Sequence, residues 1–185
     1  MTNIPRFTAW NISFIFIDLQ KKLLEKISAA NKIISNHLLI LETARLLEIP
    51  YFATTQYRHG LGELAEPISE KITGDVPDKM TFSCVEDSDI LSKIEAIRRP
   101  FVAIAGIETH ICVMQTALDI LRKGQQVAVV LDAVGARGEV DHRAGLDRME
   151  KAGAVMVTTE MLVYEMLSRS DSPEFKKVLP LIKAR

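Results

Sequence analysis

Short, mostly apolar runs alternate with longer segments of helical periodicity along the chain. Five of these runs predict buried strands: 14–17, 51–54, 101–105, 127–131 and 154–157. Six segments have helical spacing: 31–47, 87–98, 109–123, 141–152, 160–168 and 173–179. The last is expected to end before Pro180. Strands that are apolar on both faces and separated by helices are typical of a parallel sheet covered on both sides. The pattern predicts one doubly wound, Rossmann-like α/β domain over residues 1–185, with three α/β/α layers and a parallel sheet of about five to six strands.

One segment, 57–80, fits neither pattern and is predicted to be a long loop because glycine and proline recur in it. Within it, residues 60–65 (GLGELA) match the loose dinucleotide pattern G-x-G-x-x-A. They do not follow the first strand, however, and Pro67 interrupts any helix that they would open. We therefore interpret residues 60–65 as a flexible lid element and not as a cofactor site.

Composition and charge narrow the class of protein. Of the 185 residues, 48% are hydrophobic and 25% are charged, as in an ordinary globular domain. The formal net charge is -1, which lacks the basic excess typical of nucleic-acid binders. No window approaches the ~20 apolar residues of a membrane span, and the first residues do not follow the pattern of a signal peptide. We expect a cytoplasmic protein, or one of an organellar matrix, that binds neither nucleic acid nor membranes.

The carboxyl ends of the predicted strands are where ligands of doubly wound folds bind. Cys112 follows the strand 101–105 by one short turn and falls in the first turn of the next helix, where the helix dipole favours a thiolate. Backbone N–H groups at the same place can receive an oxyanion. The alternative is that Cys112 packs under the helix as a small apolar residue, as buried cysteines commonly do.

Two aspartates end predicted strands, and position alone does not choose between them as a base. Asp18 ends a strand that is expected to be central, where a carboxylate is costly unless it is paired. Asp132 ends its strand in the same way and is interpreted mainly as a structural residue that binds backbone N–H groups. Lys79 lies at the end of the long loop and matters chemically if the loop brings its ammonium group to Asp18 or Cys112.

The remaining residues that often bind metals or cofactors follow no specific pattern. The sequence holds no Walker A loop, no H-E-x-x-H and no paired C-x-x-C. The four histidines are interpreted as surface or packing residues: His37, His59, His110 and His142. Cys84 is interpreted as a packing residue, and two cysteines are too few for a disulfide framework, so both are expected to be free thiols.

Three short motifs carry a family likeness: Asp18-Leu19-Gln20, then KMTFS from Lys79, then GIETHICV, which ends at Val113. In this order, on the predicted strand ends, they resemble the isochorismatase-like cysteine hydrolases. The resemblance covers almost the whole chain and is closest to the small isochorismatase-domain-containing proteins.

The resemblance implies a catalytic triad in which Asp18 is the base, Lys79 stabilises charge and Cys112 is the nucleophile. It thereby chooses Asp18 over Asp132, and it implies a cis peptide bond at Ile107–Glu108. It also implies a substrate pocket and oxyanion hole formed by six residues: Gln20, Gln56, Phe82, Ile107, Glu108 and Thr109. The Asp-x-His pair of the metal-containing nicotinamidase branch is missing at 54–57, so we expect no metal, and no other cofactor is expected.

The likeness predicts a cysteine-dependent hydrolase that cleaves a small amide or related C–N or C–O bond through a thioester (acyl-enzyme) intermediate. Two alternatives stay open: a catalytically silent binding or scaffolding protein with the same fold, and a redox sensor that uses a low-pKa Cys112. The expected partners are a small-molecule substrate and further copies of the chain, since the family commonly forms homo-oligomers. The apolar residues of 175–182 are expected to dock either within the domain or on a neighbour.

Overall fold

Six parallel strands form one sheet in the computed structural model, which describes residues 6–183. The strands are β1 (Ile12–Ile17), β2 (Tyr51–Gln56), β3 (Asp78–Lys79), β4 (Phe101–Ile107), β5 (Gln126–Gly135) and β6 (Val155–Val157). Their order across the sheet is β3-β2-β1-β4-β5-β6, with parallel pairing throughout. This is the strand order of a doubly wound fold, so the predicted fold class is confirmed.

Helices on both faces complete the three layers. They are α1 (Lys21–Leu24), α2 (Ala30–Leu46), α3 (Arg58–Leu61), α4 (Ile68–Lys71), α5 (Ser88–Ile97), α6 (Met114–Arg122), α7 (Glu139–Lys151), α8 (Thr159–Leu167) and α9 (Pro173–Lys183). A π-helical turn, Thr109–Val113, precedes α6, so the segment predicted as one helix over 109–123 has two parts.

Alternate residues of the central strands point to opposite faces of the sheet and form two apolar cores. Phe14 and Phe16 of β1 lie in the core that α2, α8 and α9 cover. Ile15 and Ile17 lie in the core beneath α5, α6 and α7. Because both faces of β1 are buried, its sequence is a nearly continuous apolar run and does not alternate.

The segment 57–80 is not the long loop that its glycines and prolines predict, because it contains α3, α4 and β3. The amide of Ala65 donates to the carbonyl of Leu19 at 2.8 Å, and Lys22 Nζ donates to the carbonyl of Gly60 at 2.8 Å. Leu64 and Ala65 are buried. The interpretation of residues 60–65 as a flexible lid is therefore wrong, since hydrogen bonds and apolar burial fix this segment against the residues that follow β1.

The C-terminal helix, α9, continues through Pro180, where the sequence predicts an end. The hydrogen bond that proline removes lies near the end of the helix, and both Pro180 and Lys176, whose carbonyl loses its donor, are exposed to water. Phe175, Val178 and Ile182 pack on the core that contains β1. The apolar C-terminal segment therefore docks within the domain.

Strand β5 extends to Gly135, so Asp132 lies within it and not at its end. The Asp132 carboxylate accepts hydrogen bonds from the backbone N–H and the hydroxyl of Thr159, at 2.7 and 2.8 Å. Asp132 thus ties β5 to the start of α8, which confirms its structural interpretation.

His37 of α2 is fully buried, and its Nδ1 lies 2.7 Å from the carbonyl oxygen of Ile33. Burial lowers the pKa of His37 from 6.5 to about 4, although the Ile33 and Ala105 carbonyls and Asp132 act in the opposite direction. Between these two pH values the unfolded chain takes up a proton that the folded chain does not, so stability falls as the pH falls through this window. The whole window corresponds to a loss of about 3 kcal/mol.

We expect His37→Leu to flatten the dependence of unfolding free energy on pH between 6.5 and about 4, because the titrating group is gone. Urea unfolding at a series of pH values measures this slope. His59→Leu is the matched control, since it makes the same replacement at an exposed position. Parallel pH profiles for wild type and His37→Leu would contradict the assignment.

Candidate active site

The chain leaves β1 and β4 toward opposite faces of the sheet, and these two strands are neighbours. Such a switch point opens a crevice at the carboxyl edge of a doubly wound sheet. Asp18 follows β1 directly, and Cys112 lies in the π-helical turn after β4. Gln56 ends β2, and its register partner Lys79 ends β3. The three residues that the sequence proposes as a triad therefore come from three strand ends at one edge.

Asp18 and Lys79 form a fully buried ion pair in which Nζ lies 2.7 Å from Oδ2. The other carboxylate oxygen, Oδ1, accepts a hydrogen bond from Thr54 Oγ1 at 2.8 Å. Asp18 has a φ of +53°, a left-handed conformation that aspartate tolerates better than most residues. Both oxygens are thus held by named donors, which is what a buried carboxylate needs to remain charged.

Gln56 links the ion pair to the thiol. Lys79 Nζ donates a second hydrogen bond to Gln56 Oε1 at 2.7 Å, and the same oxygen lies 3.9 Å from Cys112 Sγ. Gln56 Nε2 donates to the carbonyl of Met80 at 3.1 Å, which fixes the orientation of the amide. Lys79, predicted to lie in a loop, therefore reaches the site from a short edge strand.

Burial raises the pKa of the Cys112 thiol well above its ordinary value, and the charge of Asp18 raises it further. Lys79 acts in the opposite direction without outweighing them. The expectation that the helix terminus yields a thiolate is therefore corrected: a thiol that is 6% exposed and beside a carboxylate stays protonated at neutral pH. This also counts against the redox alternative, which needs a low-pKa Cys112.

The Lys79 ammonium is held in its charged form. Burial acts to lower its pKa, but the Asp18 carboxylate acts to raise it and prevails, so the pKa lies above the ordinary value. The resting site thus holds a carboxylate, an ammonium and a neutral thiol. A proton acceptor stands beside the thiol, and a positive charge stands beside the acceptor.

Two of the side chains expected in the pocket make other contacts. Gln20 is fully buried and its Nε2 donates to the carbonyls of Gln56 and Gly62, at 3.1 and 2.6 Å. Its Oε1 accepts from the Gln56 amide at 2.8 Å, so this side chain clamps β2 to the segment after α3. Ile107 is also fully buried, within the apolar core. Neither side chain lines a pocket, because hydrogen bonds to backbone and core packing take up their surfaces.

The other expected residues lie around the turn and the edge of the site. Phe82 is 52% exposed. Glu108, joined to Ile107 by a cis peptide bond, is buried, with its carboxylate oxygens 3.6 Å from an Arg137 nitrogen and 3.7 Å from His110 Nδ1. Thr109 is fully buried.

Sequence reasoning missed Thr54, which binds the Asp18 carboxylate, and His142, whose Nδ1 lies 3.0 Å from Thr109 Oγ1. The register Ile17↔Thr54 brings Thr54 beside Asp18, and pairing of that kind is not legible from either strand alone.

Cys84 is fully buried in the same apolar core as Cys112, as its packing interpretation predicts. Burial raises its pKa to about 11.

Among the residues that the structure describes, no group of three His, Cys, Asp or Glu side chains is placed to hold a metal ion. Over residues 6–183 no helix is long and apolar enough to cross a bilayer.

The fold and site together define a doubly wound α/β protein with an acid, a lysine and a cysteine gathered at the switch point of its sheet. A model of the isochorismatase domain matches residues 13–161. The chain belongs to the isochorismatase-like hydrolase family. It is 35% identical over 176 residues to isochorismatase domain-containing protein 2A of Mus musculus, covering 92% of this chain and 82% of that protein.

Solved structures share the fold. A structure described as MAR1 ribonuclease from Caenorhabditis elegans is 34% identical and superposes with a TM-score of 0.89 over 97% of this chain and 93% of that one. The YcaC gene product of Escherichia coli, described as an octameric hydrolase of unknown specificity, is 22% identical. It superposes with a TM-score of 0.86 over 100% of this chain and 99% of that one, which shows the shared fold.

Proposed function

We propose that the protein is a cysteine-dependent hydrolase in which Cys112 is the nucleophile, Asp18 the base and Lys79 the stabilising charge. The observation that carries this proposal is the buried Asp18–Lys79 pair beside a protonated thiol. A buried carboxylate with this partner is costly as a purely structural feature, since such pairs add little stability. It has a clear use as a proton acceptor for a thiol that does not ionise alone.

The proposed reaction has two halves. In the first, the Cys112 sulfur bonds to the carbonyl carbon of the substrate while the thiol proton passes to Asp18. Backbone N–H groups of the turn bind the oxyanion, among them that of Cys112, whereas those of Ile111 and Val113 donate to the Glu108 carbonyl. The bond from the carbonyl carbon to nitrogen or oxygen breaks, and the leaving group takes the proton from Asp18. In the second half, Asp18 accepts a proton from water, whose oxygen bonds to the thioester carbon, and the sulfur leaves with that proton.

The surroundings of the thiol favour a small substrate. Cys112 is 6% exposed, and Tyr57, Met80 and Phe82 are exposed apolar side chains on the segments that follow β2 and β3. We propose a small amide or related C–N or C–O substrate whose non-reacting part contacts these side chains. The C. elegans structure is named as a ribonuclease, but the net charge of -1 here gives no basic excess for binding a polyanion.

Homo-oligomerisation belongs to this proposal, and the octameric E. coli structure of the same fold is consistent with it. A cytoplasmic location and independence from metals or other cofactors stay predictions.

Trapping of an acyl-enzyme tests the proposal. p-Nitrophenyl acetate supplies an activated carbonyl, and attack by Cys112 releases p-nitrophenol and leaves an acetyl thioester. We expect acid-quenched protein to contain acetyl on the Cys112 peptide and none on the Cys84 peptide, because Cys84 is buried without access to solvent. The acetyl group should disappear on further incubation as water completes the cycle.

Mass spectrometry of the two peptides measures both outcomes. Equal labelling of Cys84 and Cys112, or none on Cys112, would contradict the hydrolase and favour the binding or scaffolding alternative. If the protein degrades RNA and the Cys112→Ala variant retains that activity, Cys112 is not the nucleophile.

A further inference from the structure

His142 of α7 contacts the turn that carries the nucleophile. Its Nδ1 lies 3.0 Å from the hydroxyl oxygen of Thr109, the first residue of the π-helical turn. Thr109 is fully buried, so its hydroxyl depends on a protein partner. The contact joins residues 33 positions apart in the sequence.

Close packing of α7 on the turn holds this contact in place. At Gly145, one helical turn after His142, an added Cβ would lie 3.0 Å from His110 Cα and 3.3 Å from His110 N. The helix backbone therefore lies so close to the backbone of the turn that a side chain at this position would be crowded. His142 is half-buried at this junction, and its imidazole has one side toward the turn.

We propose that His142 is a positioning residue that acts through Thr109 to orient the backbone N–H of Cys112, and the turn that carries it, toward the oxyanion. This inference rests on the proposed function, because it assigns a role in the same acyl transfer. In its neutral form, with hydrogen on Nε2, the imidazole accepts the Thr109 hydroxyl hydrogen at Nδ1. The hydroxyl is then satisfied without turning toward a carbonyl of the turn.

Protonation reverses this hydrogen bond. The imidazolium donates from Nδ1, so the buried Thr109 hydroxyl hydrogen has to turn toward another acceptor. The charged or titratable groups that act on His142 are Glu139 and Arg143 of the same helix and His110 of the turn. Burial lowers the pKa of His142; Glu139 acts against this, while Arg143 and His110 act with it. The neutral form therefore prevails at neutral pH and is lost as the pH falls.

Three variants of α7 and two reactions of Cys112 test the inference. His142→Leu removes the acceptor, His142→Asn keeps an oxygen near the place of Nδ1 without titrating, and Glu150→Leu makes the same apolar replacement at an exposed position. Acetylation by p-nitrophenyl acetate forms an oxyanion, whereas alkylation by iodoacetamide does not. A residue that orients the oxyanion site affects the first reaction and spares the second.

We expect His142→Leu to slow acetylation of Cys112 about tenfold, the effect of one lost hydrogen bond, and to leave alkylation within about twofold. His142→Asn should acetylate at close to the wild-type rate at neutral pH. As the pH falls below 6.5, the ordinary pKa of histidine, the ratio of its rate to that of wild type should rise.

Several results would overturn the inference. Equal slowing of both reactions in His142→Leu shows a general disturbance of the turn, and unchanged acetylation shows that Thr109 needs no partner. A constant rate ratio with pH, or slowing by Glu150→Leu, also contradicts it. Failure of the proposed function looks different, because wild-type Cys112 would then be acetylated no faster than Cys84, whatever its rate of alkylation.

Discussion

Replacing Asp18 by Asn is expected to slow acetylation of Cys112 by about a thousandfold, the usual contribution of a general base. Asn has the size of Asp but cannot accept the thiol proton. Burial is the largest of the effects that raise the pKa of this thiol and it persists in the variant, so loss of the acceptor slows the first step of the reaction. The initial rate of p-nitrophenol release at neutral pH measures the effect.

Alkylation of Cys112 by iodoacetamide should respond to Asp18→Asn in the opposite sense. The charge of Asp18 raises the pKa of Cys112 and that of Lys79 lowers it, so Asp18→Asn lowers this pKa. The pH at which alkylation becomes fast therefore moves downward in the variant, while acetylation at neutral pH falls. If both rates fell together, Asp18 would be maintaining the shape of the site and not removing a proton.

A second variant separates catalysis from folding. Asp18→Asn leaves the buried ammonium of Lys79 without a counter-charge, which costs about 3–5 kcal/mol in comparable cases. Combining it with Lys79→Met replaces the ion pair by neutral groups of similar size, which is often neutral for stability. We expect the double variant to unfold near the wild-type urea concentration and still to lack acetylation. Wild-type acetylation in a folded double variant would refute Asp18 as the base.

Gly106→Ala is expected to destabilise the fold by about 3–5 kcal/mol. Gly106 pairs with Ile17 at the junction of β1 and β4 and has a φ of +136°, which L side chains rarely adopt. An added Cβ would overlap the carbonyl oxygen of Ile17 and lie 2.6 Å from its amide nitrogen. These are backbone atoms of a central strand that cannot move without displacing Asp18, so we expect lower stability and a damaged site together.

Gly124→Ala is the matched control. Gly124 follows α6 with a φ of +83°, and nothing lies within 4 Å of the place where its Cβ would be. Its replacement has only the backbone cost of about 1 kcal/mol. Urea unfolding measures the free energy of unfolding of both variants. A similar loss of stability in Gly106→Ala and Gly124→Ala would contradict the prediction, because it would show that the backbone of β1 shifts to make room for the added Cβ.

The strands and long helices can be predicted from the sequence because the residues that face the two cores are apolar and recur at regular positions. Apolar runs such as Phe14–Ile17 mark strands buried on two faces, and the order of strands and helices selects a doubly wound sheet. The same rule places Asp18 and Cys112 at one edge of the sheet. The family likeness adds Lys79 to them, and a model of the isochorismatase domain matches most of the chain.

Segments held by long-range contacts were not predictable in this way. Residues 60–65 contain glycines typical of a mobile loop. Their backbone is nevertheless hydrogen-bonded to Leu19, Gln20 and Lys22, which are distant in the sequence. Helix α9 continues through Pro180 because one lost hydrogen bond near a helix end is a small cost beside the burial of Val178.

The sequence by itself determines the fold class and the residue types at the strand ends, since hydrophobic period and chain order are local properties. The protonation of Cys112, the pairing of Asp18 with Lys79 and Thr54, and the contact of His142 with Thr109 arise only in the tertiary structure. Each depends on strand register, helix packing or the exclusion of water by neighbours distant in the chain. Desolvation and hydrogen-bond geometry, which set the chemistry of the site, exist only once those neighbours are in place.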